Sequence, residues 1–173
     1  MIRRSATAAA LVGASVLLPQ APAQAAGPAG LAISVPVSAN LGSATTGSAS
    51  LTGVLGDVTV TTGASLGSGG WVATVSATNF TTGGGTSAET IPASSIGYLS
   101  GAMTSSSGVA ANVCVPGQLV SATSLGSPKT AFSCTGLSLL IATSLTWRPT
   151  IVVSLSPSAV AGSYSGTILH SVA

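Results

Sequence analysis

Apolar and hydroxyl-bearing side chains alternate along segment after segment of this chain, and that period of two limits the folds open to it more than any other feature. In residues 71–78, Trp71, Ala73, Val75 and Ala77 fall on one face, opposite mainly hydroxyl residues. In residues 54–61 the valines share a face, with Asp57, Thr59 and Thr61 on the other. Leu137, Leu139, Ile141, Leu145 and Trp147 alternate with Ser138, Ala142, Ser144 and Thr146; Ile151, Val153 and Leu155, and then Tyr164, Ile168 and Val172, repeat the pattern. A strand places successive side chains on opposite faces, so this periodicity predicts half-buried strands. Helix formers such as Glu, Lys, Arg, Gln and Met are scarce, whereas Thr, Ser, Gly and Val dominate, and those residues favour strands and turns.

Turn formers separate the alternating segments: residues 63–70, 81–86 and 105–108, Pro116-Gly117, residues 126–128 and Pro157-Ser158. Each supplies positive φ or a fixed φ that a strand interior cannot use. Short alternating strands so punctuated predict an all-β chain, an antiparallel β-sandwich in one domain. Pro149 interrupts a strand-like stretch and predicts a bend or an edge. A transmembrane barrel also alternates, but it carries aromatic girdles at both interfaces. Here Trp71, Phe80, Tyr98, Phe132, Trp147 and Tyr164 are spread one per segment, like core anchors.

The N-terminus reads as an export signal. Arg3 and Arg4 give a positive start, residues 8–18 an apolar stretch too short to span a membrane, and Ala23-Gln24-Ala25 small residues for cleavage. The expected organisation is a signal peptide at 1–25, a flexible leader at 26–30 and a β-sandwich domain at 31–173. No later apolar run suggests a transmembrane anchor, so the expected location is extracellular. Without the signal, the charged residues are Asp57, Glu89, Lys129 and Arg148, which sum to zero. Cys114 and Cys134 both lie in the exported part. An even count outside the reducing cytoplasm predicts a disulfide, which would contribute about 3 kcal/mol by loop closure.

Charged residues make up 3% of the chain, and that scarcity bears on function. Phosphate neutralisation needs Lys and Arg clusters that are absent, so nucleic acid is not an expected partner. Zinc wants four ligands at short paired spacings, and one His with two cysteines does not supply them; no metal or other cofactor is expected. Gly63-Ala64-Ser65-Leu66-Gly67 matches the nucleophile-elbow spacing, with Glu89 and His170 following in hydrolase order. That elbow requires a helix after the Ser, whereas here a glycine run and the Trp71 strand follow, so a hairpin loop is expected. Asp57 and Glu89 are far apart in sequence and read as solvated surface groups, not a glycosidase pair. Residues 83–85 could nest an anion through backbone N–H groups, but read first as a turn. His170 shares a face with Ile168 and Val172 and reads as a single His closing one open end of the core, hydrogen-bonded or solvated, ahead of a pH switch or ligand. Trp71 and Trp147 share their faces with aliphatic residues and read as core.

Residues 55–61 (Leu-Gly-Asp-Val-Thr-Val-Thr), a Gly-rich turn, and residues 70–80 (Gly-Trp-Val-Ala-Thr-Val-Ser-Ala-Thr-Asn-Phe) resemble the WxL-domain cell-surface proteins of Gram-positive bacteria. Residues 90–98 and the tail at 157–168, with Ala161-Gly162 before Tyr164, fit the same pattern. The resemblance implies a noncatalytic β-rich domain that attaches noncovalently to cell-wall glycan, with peptidoglycan as the usual ligand and Trp71 as the residue carried over to binding. The chain departs from the pattern at Ala73, where the motif has Leu, and at residues 169–173, where a second Trp-x-Leu would lie. The Tyr164 tail is also similar to bacterial immunoglobulin-like domains, in which a strand-corner Tyr bonds back to nearby backbone. The alternative expectation is a structural surface subunit that self-associates with other copies or envelope proteins, because uncharged strand edges carry few Lys gatekeepers.

Overall fold

The computed structural model of the chain describes residues 13–17, 30–45, 47–63, 68–108, 114–138 and 142–173. Most of the stretch read as signal and leader therefore lies outside the described residues, as do Ser65, Leu139 and Ile141.

The protein is all-β, built from antiparallel ribbons that bend over at corners and stack as a sandwich. In the first layer, β4 (Ser50–Val54), β9 (Ile96–Leu99) and β15 (Thr150–Ser154) form one sheet with β15 in the middle. Each continues into a second sheet: β4 into β5 (Val58–Thr62), β9 into β10 (Met103–Ser107), and β14 (Thr143–Trp147) into β15, with β14 in the middle there. Strands that switch sheets do so through local bends. Here Gly56 (φ 99°), Gly101 (φ 68°) and Pro149 supply them, in the left-handed region or with φ fixed by the ring. The Leu55 amide donates to the Pro149 carbonyl at 3.0 Å and ties two of the bends together. The bend expected at Pro149 is one part of this corner line.

The second layer repeats the device. Here β6 (Ser68–Ala77) continues into β7 (Phe80–Thr81), and β16 (Ser163–Gly166) into β17 (Ile168–Val172). At that bend the Thr78 amide donates to the Thr167 carbonyl, and the Thr167 amide to the Thr78 hydroxyl, each at 2.9 Å. Across β6 run β13 (Lys129–Ser138) and then β11 (Cys114–Pro116). Short strands complete the sheets: β2 (Ala32–Ser34) beside β5, β12 (Thr123–Ser124) beside β9, and β8 (Thr90–Ile91) beside β7. β1 (Gly13–Leu17) lies between β3 (Ser38–Asn40) and β16. The β1–β16 ladder is parallel, and every other ladder among the described residues is antiparallel.

The alternation holds where a strand runs uninterrupted: Trp71, Ala73 and Val75 are buried, as are Ile151, Val153, Leu145 and Trp147. It slips at the corners. Val54, read with Val58 and Val60, instead ends β4 and is 49% exposed, because the positive-φ Gly56 shifts the phase so that Leu55 turns inward. The run drawn through Leu137 and Trp147 likewise divides between β13 and β14, which belong to different sheets. Cys114 and Cys134 face each other across the β11–β13 register and form the expected disulfide.

Candidate functional site

Three polar side chains from three sheets meet in the core. Trp147 ends β14, Tyr98 lies in β9 and His170 in β17. The Trp147 indole N–H donates to the Tyr98 hydroxyl at 3.0 Å, and that hydroxyl lies 2.9 Å from His170 Nε2. Indole nitrogen can only donate, so the Tyr98 oxygen accepts from Trp147, and the same hydroxyl shares a second hydrogen bond with His170 Nε2. Burial pushes the imidazole down to about 4 and the Tyr98 phenol well above its ordinary value. Both groups are neutral at pH 7. The Phe132 ring, 5.2 Å from Trp147 between centroids, closes the cluster. His170, half-buried, closes this end of the core and is hydrogen-bonded there, and it lines a small, mostly apolar pocket beside Val35, Ala39, Leu55, Val58 and Ile168.

The carboxylates are spoken for. Arg148 clamps Asp57 through Nε and Nη2 at 2.7 and 3.1 Å, on the surface beside the corner line, and holds its carboxyl below the usual range. Glu89 ends a 3-10 turn, Ser87–Glu89, and reaches back to accept from the Thr86 amide and hydroxyl at 3.0 and 2.8 Å. Those bonds, with a further one from the Gly84 amide, lower its pKa. Of residues 83–85 only the Gly84 amide bonds Glu89, while the Gly85 amide donates to the Thr82 carbonyl, so the segment is the turn it first read as. Among the described residues, no three His, Cys, Asp or Glu side chains gather as a metal site.

Trp71, the residue singled out for binding, is 3% exposed, and Trp147 is fully buried. Gly70 before Trp71 lets β13 approach closely: a Cβ there would sit 2.5 Å from the Cys134 carbonyl oxygen. Tyr164 makes the expected corner bond, its hydroxyl donating to the Val160 carbonyl at 2.9 Å.

What the second layer offers outward is the reverse of β6, β13, β17 and β11. Val115, Ser133 and Val72 lie in one row across three strands; Thr130, Thr74 and Ser171 form another. Thr74 and Ser171 hydroxyls are 2.7 Å apart, and Leu169 pairs beside Ser76. Val72, Val115 and Leu169 are 42%, 56% and 58% exposed. This face is uncharged, with hydroxyls set between aliphatic side chains; Lys129 at the β13 end pairs with the inward Val75. Alternation along residues 71–78 made the Val72, Thr74 and Ser76 stripe legible in sequence, but strand order was needed to widen it into a face. Comparison with protein-family models, curated proteins and solved structures finds no match to this chain.

Proposed function

We propose that this is an exported, noncatalytic envelope protein that associates noncovalently with a neutral wall polymer, peptidoglycan or a related glycan, through the outer face of β11, β13, β6 and β17. The observation that carries the reading is that face: hydroxyls in register rows with exposed Val72, Val115 and Leu169. Glycan hydroxyls exchange hydrogen bonds with Ser and Thr, and their C–H faces cover small apolar side chains, so neither partner needs charge. The export pattern in residues 1–25 and the resemblance to WxL domains support the same location. With Trp71 buried, its role in that resemblance is to hold β6 against the core and leave contact to the outward side chains. A noncatalytic role fits the state of the titratable groups, since Asp57, Glu89 and His170 each satisfy another side chain or backbone group of the protein itself. Co-sedimentation of the protein beginning at Ala26 with purified sacculi tests it. The expected result is pelleting that persists as salt is raised, because neutral contacts are not screened. Protein left in the supernatant at every ionic strength would refute the reading.

Self-association is a second reading, favoured by one observation: a strand within the stretch read as export signal, Gly13–Leu17, occupies an interior position in a sheet.

A further inference from the structure

β1 (Gly13–Leu17) lies between two strands of the exported domain. Leu17, Val16 and Ser15 pair with Ser38, Ala39 and Asn40 of β3, while Ala14, Ser15 and Val16 pair with Tyr164, Ser165 and Gly166 of β16. Among the described residues β3 has no other strand neighbour in this sheet, and on its far side β16 meets β7 through the pair Ser165–Thr81. Yet residues 13–17 are the centre of the apolar stretch that reads as an export signal. Cleavage after Ala25 would remove the middle strand and leave a gap of about 10 Å, two strand spacings, between β3 and β16. Both walls would then carry backbone N–H and C=O groups with no strand to bond, a template for another strand.

We propose that in the exported protein this gap takes an extended segment from a second copy of the chain, and that residues 13–17 of the signal hold the place in the precursor. The proposal rests on the export reading and gives self-association a site. A second copy fits for three reasons. The signal strand is Gly-Ala-Ser-Val-Leu, uncharged and free of Pro, and the walls, Ser38–Asn40 and Ser163–Gly166, are uncharged as well. The protein's own strands have the same character, as in Ser-Leu-Thr-Gly-Val of β4 and Met-Thr-Ser-Ser-Ser of β10. The exported part carries Lys129 and Arg148 against Asp57 and Glu89, so copies do not repel one another through net charge. Strand insertion from copy to copy is head-to-tail, a geometry that propagates into filaments unless it closes as a ring.

The test compares the full chain with the protein beginning at Ala26, both oxidised and neither exposed to signal peptidase, by light scattering over a wide concentration range. The full chain is expected to stay monomeric. The shorter form is expected to rise to at least a dimer's mass, and a synthetic peptide of residues 11–18 to return it to monomer. A shorter form that stays monomeric throughout, or a full chain that associates equally, overturns the proposal. So does association that the peptide leaves unchanged. N-terminal sequencing of the exported protein separates the two layers of the argument. A start at Met1 defeats the export reading and the proposal together, whereas a start at Ala26 in a strictly monomeric protein defeats the proposal alone.

Discussion

Trp147 and Tyr98, 49 residues apart in sequence, are joined by a 3.0 Å hydrogen bond in a core otherwise almost wholly apolar. Their bond spans the two sheets of the first layer, and the Tyr98 hydroxyl extends it to His170 in the second. Removing that hydroxyl leaves both the Trp147 N–H and His170 Nε2 without their shared partner. Tyr98→Phe is therefore expected to cost about 1–3 kcal/mol, read as a lower urea midpoint with an unchanged slope. A midpoint equal to wild type would show that the bridge does not hold the layers together.

His170 makes stability depend on pH. Its folded pKa is about 4, below the ordinary 6.5, so the unfolded chain binds the proton more readily. Stability from this group is fully present above pH 6.5 and falls as pH drops toward 4, by up to about 3 kcal/mol. Asp57 and Glu89, with lowered pKa values, act in the same direction at still lower pH. Urea midpoints at pH 7 and pH 5 measure the effect, which His170→Gln is expected to abolish over that window.

The Cys114–Cys134 bond closes a loop with a sequence separation of 20, so reduction is expected to cost about 3 kcal/mol. Thermal melts with and without reductant test this. An unchanged Tm would mean that β11 contributes nothing to global stability.

Gly70→Ala places a methyl group 2.5 Å from the Cys134 carbonyl oxygen. Backbone must move to admit it, and destabilisation of about 1–3 kcal/mol is expected, as for overpacked sites. The shift in chemical denaturation midpoint relative to wild type reads it directly.

Much of this architecture is legible in the residues because a pleated strand turns every second side chain inward. Trp71, Ala73 and Val75, the disulfide and the bend at Pro149 all follow from local pattern or compartment. The corner line does not. Alternation carries no mark of where a strand changes sheet, so it puts Val54 on the face of Val58 and Val60, whereas the bend at Gly56 turns Val54 outward. The Tyr98–Trp147–His170 bridge is hidden for a related reason: its members are 49 and 72 residues apart, and only the sheet order brings them together. Glu89 filling the turn at residues 83–85 had a signal, the Thr86-x-x-Glu89 capping spacing, which the glycines beside it obscured.

Contact through an uncharged face is the centre of the account, and charge placed on that face tests it most directly. Val72→Glu with Ser171→Glu puts two carboxylates among the outward rows of β6 and β17, at exposed positions where stability is expected to change by no more than about 0.5 kcal/mol each. Ser50→Glu with Thr52→Glu puts the same charge on exposed positions of β4, in the other layer. Co-sedimentation with sacculi is expected to be lost in the first variant and kept in the second. Equal pelleting of both variants with wild type would contradict the assignment of this face.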